Sequence, residues 1–333
     1  MDTLIEKIRA GDRRSLARAM SLVDNANDAS RALKDRLRQL TGKVPWWGFT
    51  GPPGVGKSTL IDALITALRE RQRRVGVVAV DPTSPLSDGA LLGDRVRMMR
   101  HALDPDVFIR SLATHHCAGG LSDATLHCAR LLELAGYDPV LIETVGVGQS
   151  ETDIAAVADI RVVMLGPGYG DDIQLIKAGL LEIADLIVIN KCDLPEANRL
   201  LQEVHEEFTQ TSAARADRPA AQADNRATVE IIGIEAKSGR GVDQLLTKLL
   251  AADEAARNPE QQKRNQQRRV LGEIKRGALL VCEQALARGL ADSAGLDLVA
   301  KLQSGELALD DVVNKQLSRI SDKARHSPPT PDN

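Results

Sequence analysis

The sequence of 333 residues has few aromatic side chains, no surplus of basic charge and no long apolar run. Phe, Trp and Tyr make up 2% of it, so platforms that stack the bases of single-stranded nucleic acid are not expected. A net charge of −3 gives no positive field to attract DNA or an anionic membrane. No stretch approaches the roughly 18 apolar residues of a membrane helix, and the first residues lack the apolar core of a secretory signal. We therefore expect a cytoplasmic protein that binds neither nucleic acid nor membranes.

Cysteine is also scarce, and no C-x-x-C pair occurs. This absence argues against a disulfide framework and against a structural zinc site. His115, His116 and Cys117, with His127 and Cys128, supply imidazole and thiol groups, but their spacing matches no standard metal site. We interpret them as a loop and a helix that carries one buried cysteine.

Apolar residues recur at helical spacing near the start of the chain and then give way to short apolar runs. Residues 1–43 predict an N-terminal helical arm in which Asp12 caps the second helix and residues 24–28 end it. From 44 to 255, runs rich in Val and Ile alternate with helical stretches, which is typical of βαβ units around a buried parallel sheet. Strands are predicted at 46–50, 75–80, 107–109, 140–142, 161–165, 186–189 and 229–234.

The remaining segments differ from this pattern. Residues 209–228 contain almost no large apolar side chains and predict a mobile surface insertion. Residues 256–322 predict a long amphipathic helix followed by shorter helices, and 323–333 a proline-rich, disordered tail. The predicted fold class is therefore α/β, with a mainly parallel, doubly wound sheet flanked by helices.

A phosphate-binding loop follows the first predicted strand. Residues 51–58, GPPGVGKS, fit the P-loop pattern G-x-x-x-x-G-K-S and precede an amphipathic stretch at 60–68. In a P-loop NTPase, backbone N–H groups and a helix N-terminus surround the phosphates, the lysine reaches the β and γ phosphates, and the serine binds Mg²⁺. The residues expected at the nucleotide are Gly51, Pro53, Gly54, Val55, Gly56, Lys57, Ser58 and Thr59.

Acidic residues end two of the predicted strands. Glu143 follows the strand at 140–142, and Gly146 beyond it can offer a backbone N–H to the terminal phosphate. Asp81 closes the strand at 75–80, and Asp94 follows in GDRVRM. With the Ser58 hydroxyl these carboxylates form an adequate set of hard ligands for Mg²⁺, although Asp81 and Asp94 could instead cap turns or helices. Lys57, Asp94 and Glu143 are the candidate catalytic residues.

The tetrapeptide at 190–193 indicates which base is bound. Asn190, Lys191 and Asp193 match the N-K-x-D pattern and follow the strand at 186–189. The Asp193 carboxylate would accept hydrogen bonds from guanine N1 and the exocyclic amine, which adenine cannot supply. We therefore expect GTP and GDP, with Mg²⁺, as the ligands.

Longer stretches of the sequence resemble the MeaB/ArgK type of P-loop GTPase, relatives of the methylmalonic aciduria type A protein. The similarity covers nearly the whole chain and is carried by residues 4–19, the P-loop, 80–85 with 92–95, 143–151, and 185–193. The resemblance implies that Ser58, Asp81, Asp94 and Glu143 surround Mg²⁺ and the γ-phosphate. It also implies that the loop at 234–239 touches the base through Glu235, Ala236 and Lys237.

The resemblance further implies a homodimer formed through the C-terminal helices. The implied function is a GTP-driven conformational switch that acts as a chaperone for an adenosylcobalamin-dependent acyl-CoA mutase, gating cofactor loading and protecting the mutase. Two positions depart from the family. Residues 114–120, THHCAGG, lack the usual arginine after the threonine, and Asp88 stands where relatives often carry glycine.

Two other functions remain open on the sequence alone. One is a kinase linked to amino-acid transport, although no second substrate motif is visible. The other is a metallochaperone GTPase, for which the His115 to Cys128 region would have to bind the metal.

Overall fold

A computed structural model of the chain describes the following residues: 1–24, 28–81, 98–113, 121, 123–144, 150–168, 183–216, 229–291, 293–304, 306–314 and 318. They form two compact units, one within Met1–Arg269 and the other within Val270–Asn333. The domain boundaries expected from the sequence stay predictions.

The first unit is built on a sheet of seven parallel strands in the order β3-β2-β4-β1-β5-β6-β7. The strands are β1 Trp46–Thr50, β2 Val75–Asp81, β3 Val107–Ala113, β4 Val140–Glu143, β5 Ile160–Leu165, β6 Leu186–Ile189 and β7 Glu230–Gly233. Strand β1 is central, and all its residues are buried. The parallel sheet predicted from the Val- and Ile-rich runs is confirmed.

Helices cover both faces of this sheet. The helices of the described residues, in both units, are α1 Asp2–Arg9, α2 Arg13–Val23, α3 Asp28–Leu40, α4 Lys57–Glu70, a 3₁₀ helix Met99–His101, α5 Asp123–Leu134, α6 Ser150–Val157, α7 Pro195–Ala216, α8 Val242–Ala256, α9 Pro259–Ala291 and α10 Ser293–Gln303. Helices α1, α2, α3, α5 and α6 share one apolar core with one face of the sheet, and α4 and α8 share another with the opposite face. Among the described helices, none combines the length and the hydropathy needed to cross a membrane.

The start of the chain is helical, as its apolar spacing predicts. Asp12 caps α2 by accepting hydrogen bonds from the backbone N–H groups of Arg14 and Ser15. Helix α2 ends at Val23 and α3 begins at Asp28, so the predicted cap and break are both confirmed.

Two elements are longer than their apolar pattern indicates. Strand β3 continues to Ala113 because its backbone keeps pairing with β2, even where Arg110 and Ser111 interrupt the apolar run. Helix α7 continues to Ala216, into the segment predicted as an insertion. The rest of that segment, residues 217–228, and the predicted tail at 323–333 lie outside the described residues.

Candidate nucleotide site

The P-loop joins β1 to α4 and can be built only with glycine at its bends. Gly51, Gly54 and Gly56 have φ angles of 141°, 75° and 102°, a region that other residues rarely adopt. A Cβ at Gly51 would lie 2.1 Å from the carbonyl oxygen of Met164, and one at Gly56 would lie 2.4 Å from Asn190 Nδ2. The glycines therefore let the loop curl tightly against β5 and the residue after β6.

Lys57, the first residue of α4, is directed back over the loop. Its side chain is 6% exposed, and Nζ donates hydrogen bonds to the carbonyl oxygens of Gly51 at 2.8 Å and Pro52 at 3.1 Å. Pro53 and Gly54 are exposed, whereas Val55 is buried. The ammonium group is thus placed at the loop that the sequence predicts to surround the phosphates.

Ser58 and Glu143 meet beside this lysine. Ser58 Oγ donates to Glu143 Oε1 at 2.7 Å, and both residues are buried. Glu143 ends β4, which pairs with β1 so that Glu143 lies opposite Phe49. A hydroxyl and a carboxylate oxygen at this spacing fit Mg²⁺, which prefers hard oxygen ligands and keeps several waters.

Of the other predicted ligands, the structure describes Asp81 but not Asp94 or Gly146. Asp81 ends β2, a direct neighbour of β4, so its backbone lies at the same edge of the sheet as Glu143. Asp94, Gly146 and Asp88 lie outside the described residues. Within the described part of the chain, no group of three or more His, Cys, Asp or Glu side chains could hold a metal ion.

Asn190 connects the P-loop to the loop after β7. Its Nδ2 donates to Val55 O at 2.8 Å, and its Oδ1 accepts from the backbone N–H of Ala236 at 3.0 Å. The side chain is 4% exposed. The N-K-x-D pattern includes Asn190 but does not predict that it reaches Ala236, because nothing in the local pattern pairs these positions.

The remaining base-recognition residues surround this link. Lys191 has a φ of 62°, and Asp193 is exposed, so its carboxylate can accept hydrogen bonds from a ligand. The N–H of Cys192 donates to Ile234 O at 3.0 Å, which brings Glu235 and Lys237 to the same end of the sheet. Burial raises the pKa of the Cys192 thiol, which keeps it neutral beside Asp193.

Thr144 is a residue of this region that the motifs did not single out. Its N–H donates to Phe49 O at 3.1 Å, and its hydroxyl donates to Thr50 Oγ1 at 3.0 Å. These bonds fasten the chain after Glu143 to the end of β1. The only signal in the sequence for this role is that Thr144 directly follows Glu143.

The described histidine and cysteine of the suspected metal region belong to the core. His127 is fully buried in α5, with Nε2 3.3 Å from Asp123 Oδ1, and burial raises the pKa of Cys128 to about 12. His115, His116 and Cys117 lie outside the described residues.

Comparison with known proteins identifies relatives of this chain. The family model described as methylmalonyl-CoA mutase-associated GTPase MeaB matches residues 16–288. A candidate GTPase of Pyrococcus abyssi is 51% identical over 205 residues, which cover 62% of this chain and 63% of the relative. The mitochondrial methylmalonic aciduria type A homolog of Mus musculus is 36% identical over 266 residues, covering 74% of this chain and 61% of the relative. The chain thus spans about three fifths of the length of these relatives.

A solved structure supports the same grouping. The crystal structure of a LAO/AO transport system kinase superposes with a TM-score of 0.68 at 26% sequence identity. The match covers 96% of this chain and 97% of the solved chain.

Proposed function

Because this chain belongs to the MeaB family of P-loop GTPases, we propose that it binds GTP with Mg²⁺ and hydrolyses it to GDP and phosphate. We further propose that the nucleotide cycle switches its conformation, and that it serves as a chaperone for an adenosylcobalamin-dependent acyl-CoA mutase.

The observation that carries the first proposal is the position of Asn190. One side chain of the guanine motif bonds directly to the P-loop and to the loop after β7, so the parts expected to bind phosphate and base form one site. A buried amide with both ends bonded holds these loops at a fixed separation. Asp193, three positions further along the motif, is exposed, and its carboxylate would accept hydrogen bonds from guanine N1 and the exocyclic amine.

The chemistry follows from the residues around Lys57. Hydrolysis is attack of a water on the γ-phosphate, with catalysis supplied by positioning and by stabilisation of the transferred charge. Lys57 would exchange its hydrogen bonds to Gly51 and Pro52 for the phosphate oxygens. Ser58 and Glu143 would hold Mg²⁺, which neutralises phosphate charge, and Glu143 would orient the attacking water or a water of the metal. Asp94 and Asp81 are proposed as further metal ligands, and the backbone N–H of Gly146 as a contact of the γ-phosphate.

The second unit supports a homodimer. Helices α9 and α10 and the residues after them carry large apolar side chains that are 52–65% exposed: Leu271, Ile274, Leu279, Val281, Leu296 and Leu309. An exposed apolar surface of this kind is usually covered by a binding partner. We propose that a second copy of the chain covers it, and sedimentation of the purified protein tests this. A monomer at micromolar concentration would refute it.

Phosphate release from GTP and from ATP, measured with and without Mg²⁺, tests the enzymatic proposal. We expect turnover with GTP and Mg²⁺ only, and loss of turnover in Lys57→Ala. Preference for ATP would refute the role given to Asp193. Transfer of labelled phosphate to a candidate acceptor would favour the kinase, a name that the solved relative carries.

The mutase proposal needs its own experiment. A candidate adenosylcobalamin-dependent mutase from the same organism is mixed with the protein, and binding is measured with GDP and with a non-hydrolysable GTP analogue. Binding that depends on the nucleotide supports the chaperone function. Equal absence of binding in both states would leave a GTPase that acts on some other client.

A further inference from the structure

Helix α6 lies directly on β1, the strand that leads into the P-loop. A Cβ at Gly48 would lie 2.5 Å from Ile154 Cγ1 and 2.6 Å from Ala158 Cβ, whereas ordinary contacts are 3.4–4 Å. Ile154, Val157 and Ala158 are fully buried. The carboxyl half of α6 therefore has no space between it and β1.

Asp159, two residues after α6 ends, joins this helix to β1 and to α9. Its Oδ2 accepts from the backbone N–H of Trp46 at 2.8 Å, and Oδ1 accepts from Arg268 Nη2 at 3.2 Å. Arg269 Nη2 also donates to Oδ2. Asp159 is 1% exposed and Arg269 is 4% exposed, so each of these buried charges needs an opposite charge beside it.

Arg269 holds more than this carboxylate. Its guanidinium donates to Val157 O at 3.3 Å and to Val44 O at 3.4 Å, and it lies over the Trp46 ring, 3.6 Å from the centroid. Arg268 donates to Ala158 O at 2.7 Å. Arg268 and Arg269 of α9 thus bind both the residues at the end of α6 and the residues at the start of β1.

The chain that leaves Glu143 is also tied to β1. Thr144 bonds to Phe49 O and to Thr50 Oγ1, at the opposite end of the strand from Trp46. The described residues on either side of positions 145–149 are both attached to the P-loop strand: Thr144 by its hydrogen bonds, and Ile154 where α6 rests on Gly48.

We propose that Gly48 and Arg269 are positioning residues for GTP hydrolysis. They hold α6 against β1, the strand that leads to Lys57 and Ser58 and that pairs with Glu143 at Phe49. This inference rests on the proposed GTPase function and deepens it, since it gives α9 a part in the hydrolytic step. Glu143 is proposed to act at the γ-phosphate, which GDP lacks, so we expect this arrangement to affect hydrolysis more than GDP binding.

The first test replaces Gly48 with alanine. Restoring an ordinary contact with Ile154 requires a shift of about 1 Å, and a misplacement of this size can lower a rate about 10²-fold. We expect the kcat for GTP to fall about 10- to 100-fold, with the KM for GTP and the Kd for GDP within about twofold of wild type. The matched control is Gly76→Ala, in which the new Cβ would meet Leu132 of α5 at 3.0 Å. This control should change thermal stability but not kcat.

The second test replaces Arg269 with glutamine. As for Gly48→Ala, we expect kcat to be lowered and the Kd for GDP to be unchanged. Its control is Arg257→Gln, which breaks ion pairs of 2.7 Å to Asp253 and Asp138 without touching α6. If Arg269→Gln does not fold, Gly48→Ala decides alone.

The outcomes separate this inference from the proposed function. Wild-type protein that does not hydrolyse GTP would overturn both. Active wild type with kcat unchanged in Gly48→Ala would overturn the positioning role only. A fall in kcat matched by an equal loss of GDP affinity, or shared by the Gly76 and Arg257 controls, would also overturn it, because general destabilisation would then explain the effect.

Discussion

Replacing Asn190 with alanine removes two buried hydrogen bonds that join separate parts of the nucleotide site. Val55 O loses a donor at 2.8 Å and the N–H of Ala236 loses an acceptor at 3.0 Å. A buried polar group without a partner costs about 1–3 kcal/mol. Because water entering the vacated space would satisfy part of the loss, we expect the free energy of unfolding to fall by about 2–4 kcal/mol.

The same change should weaken nucleotide binding, because the P-loop and the loop after β7 would no longer be held at one separation. We expect the Kd for GDP to rise at least about tenfold, which corresponds to about 1.4 kcal/mol. Urea denaturation monitored by circular dichroism gives the first quantity, provided that its slope is unchanged. Titration with a fluorescent GDP analogue gives the second.

A matched control is available in Asn265, which is also 4% exposed and accepts a hydrogen bond from Gln261 within α9. Asn265→Ala should lower stability and leave GDP affinity unchanged. The reasoning is refuted if Asn190→Ala unfolds within about 1 kcal/mol of wild type and binds GDP equally well. Equal loss of GDP affinity in both variants would also contradict it.

Three further predictions concern single carboxylates. Asp193→Asn should reduce the preference for GTP over ATP by about 10²-fold or more, measured as the ratio of kcat/KM, and an unchanged ratio would remove Asp193 from base recognition. Glu143→Gln keeps the shape of the side chain but not its charge, so phosphate release at saturating GTP should slow by about 10²-fold, while a rate near wild type would exclude the role given to it. Burial raises the pKa of Asp123, but hydrogen bonds from His127 and Lys34 outweigh it and hold this pKa below its usual range. The carboxylate therefore stabilises the fold above its unfolded pKa of about 3.9, and the stabilisation is lost as the pH falls through the lower folded pKa. Asp123→Asn should lack this acid-dependent loss in denaturation titrations at pH 2–5, and an unchanged pH profile would show that the pair contributes nothing.

The sheet and the P-loop could be predicted because both have local signals. Short Val- and Ile-rich runs identify buried parallel strands, and Gly51, Gly56 and Lys57 form a pattern whose spacing is fixed by phosphate geometry. The same locality explains the errors at element ends. Apolar pattern stops at Ile109, but β3 continues to Ala113 because backbone pairing with β2 does not require apolar side chains.

Links between distant positions could not be predicted. Asn190 meets a residue 135 positions earlier and another 46 positions later, and no spacing rule connects them. The hydrogen bonds from Arg269 to Val157 and Val44 could not be predicted either, because their acceptors are backbone carbonyl oxygens that any residue would supply. A pattern of residue types indicates what a side chain can bind, whereas tertiary packing decides which atoms come within reach.

The place of β1 in the sheet has a consequence for how the protein is made. The P-loop strand is the first strand to be synthesised, yet its two neighbours, β4 and β5, are encoded much later. Strand β5 ends at Leu165, so roughly 115 residues must be added after Thr50 before β1 can pair on both sides. At about 5–20 residues per second, translation takes about 6–23 s to supply them. For that interval the nascent chain carries a complete P-loop sequence on a strand that still lacks at least one of its two neighbours, so the site as described here can be completed only after the middle of the chain has been synthesised.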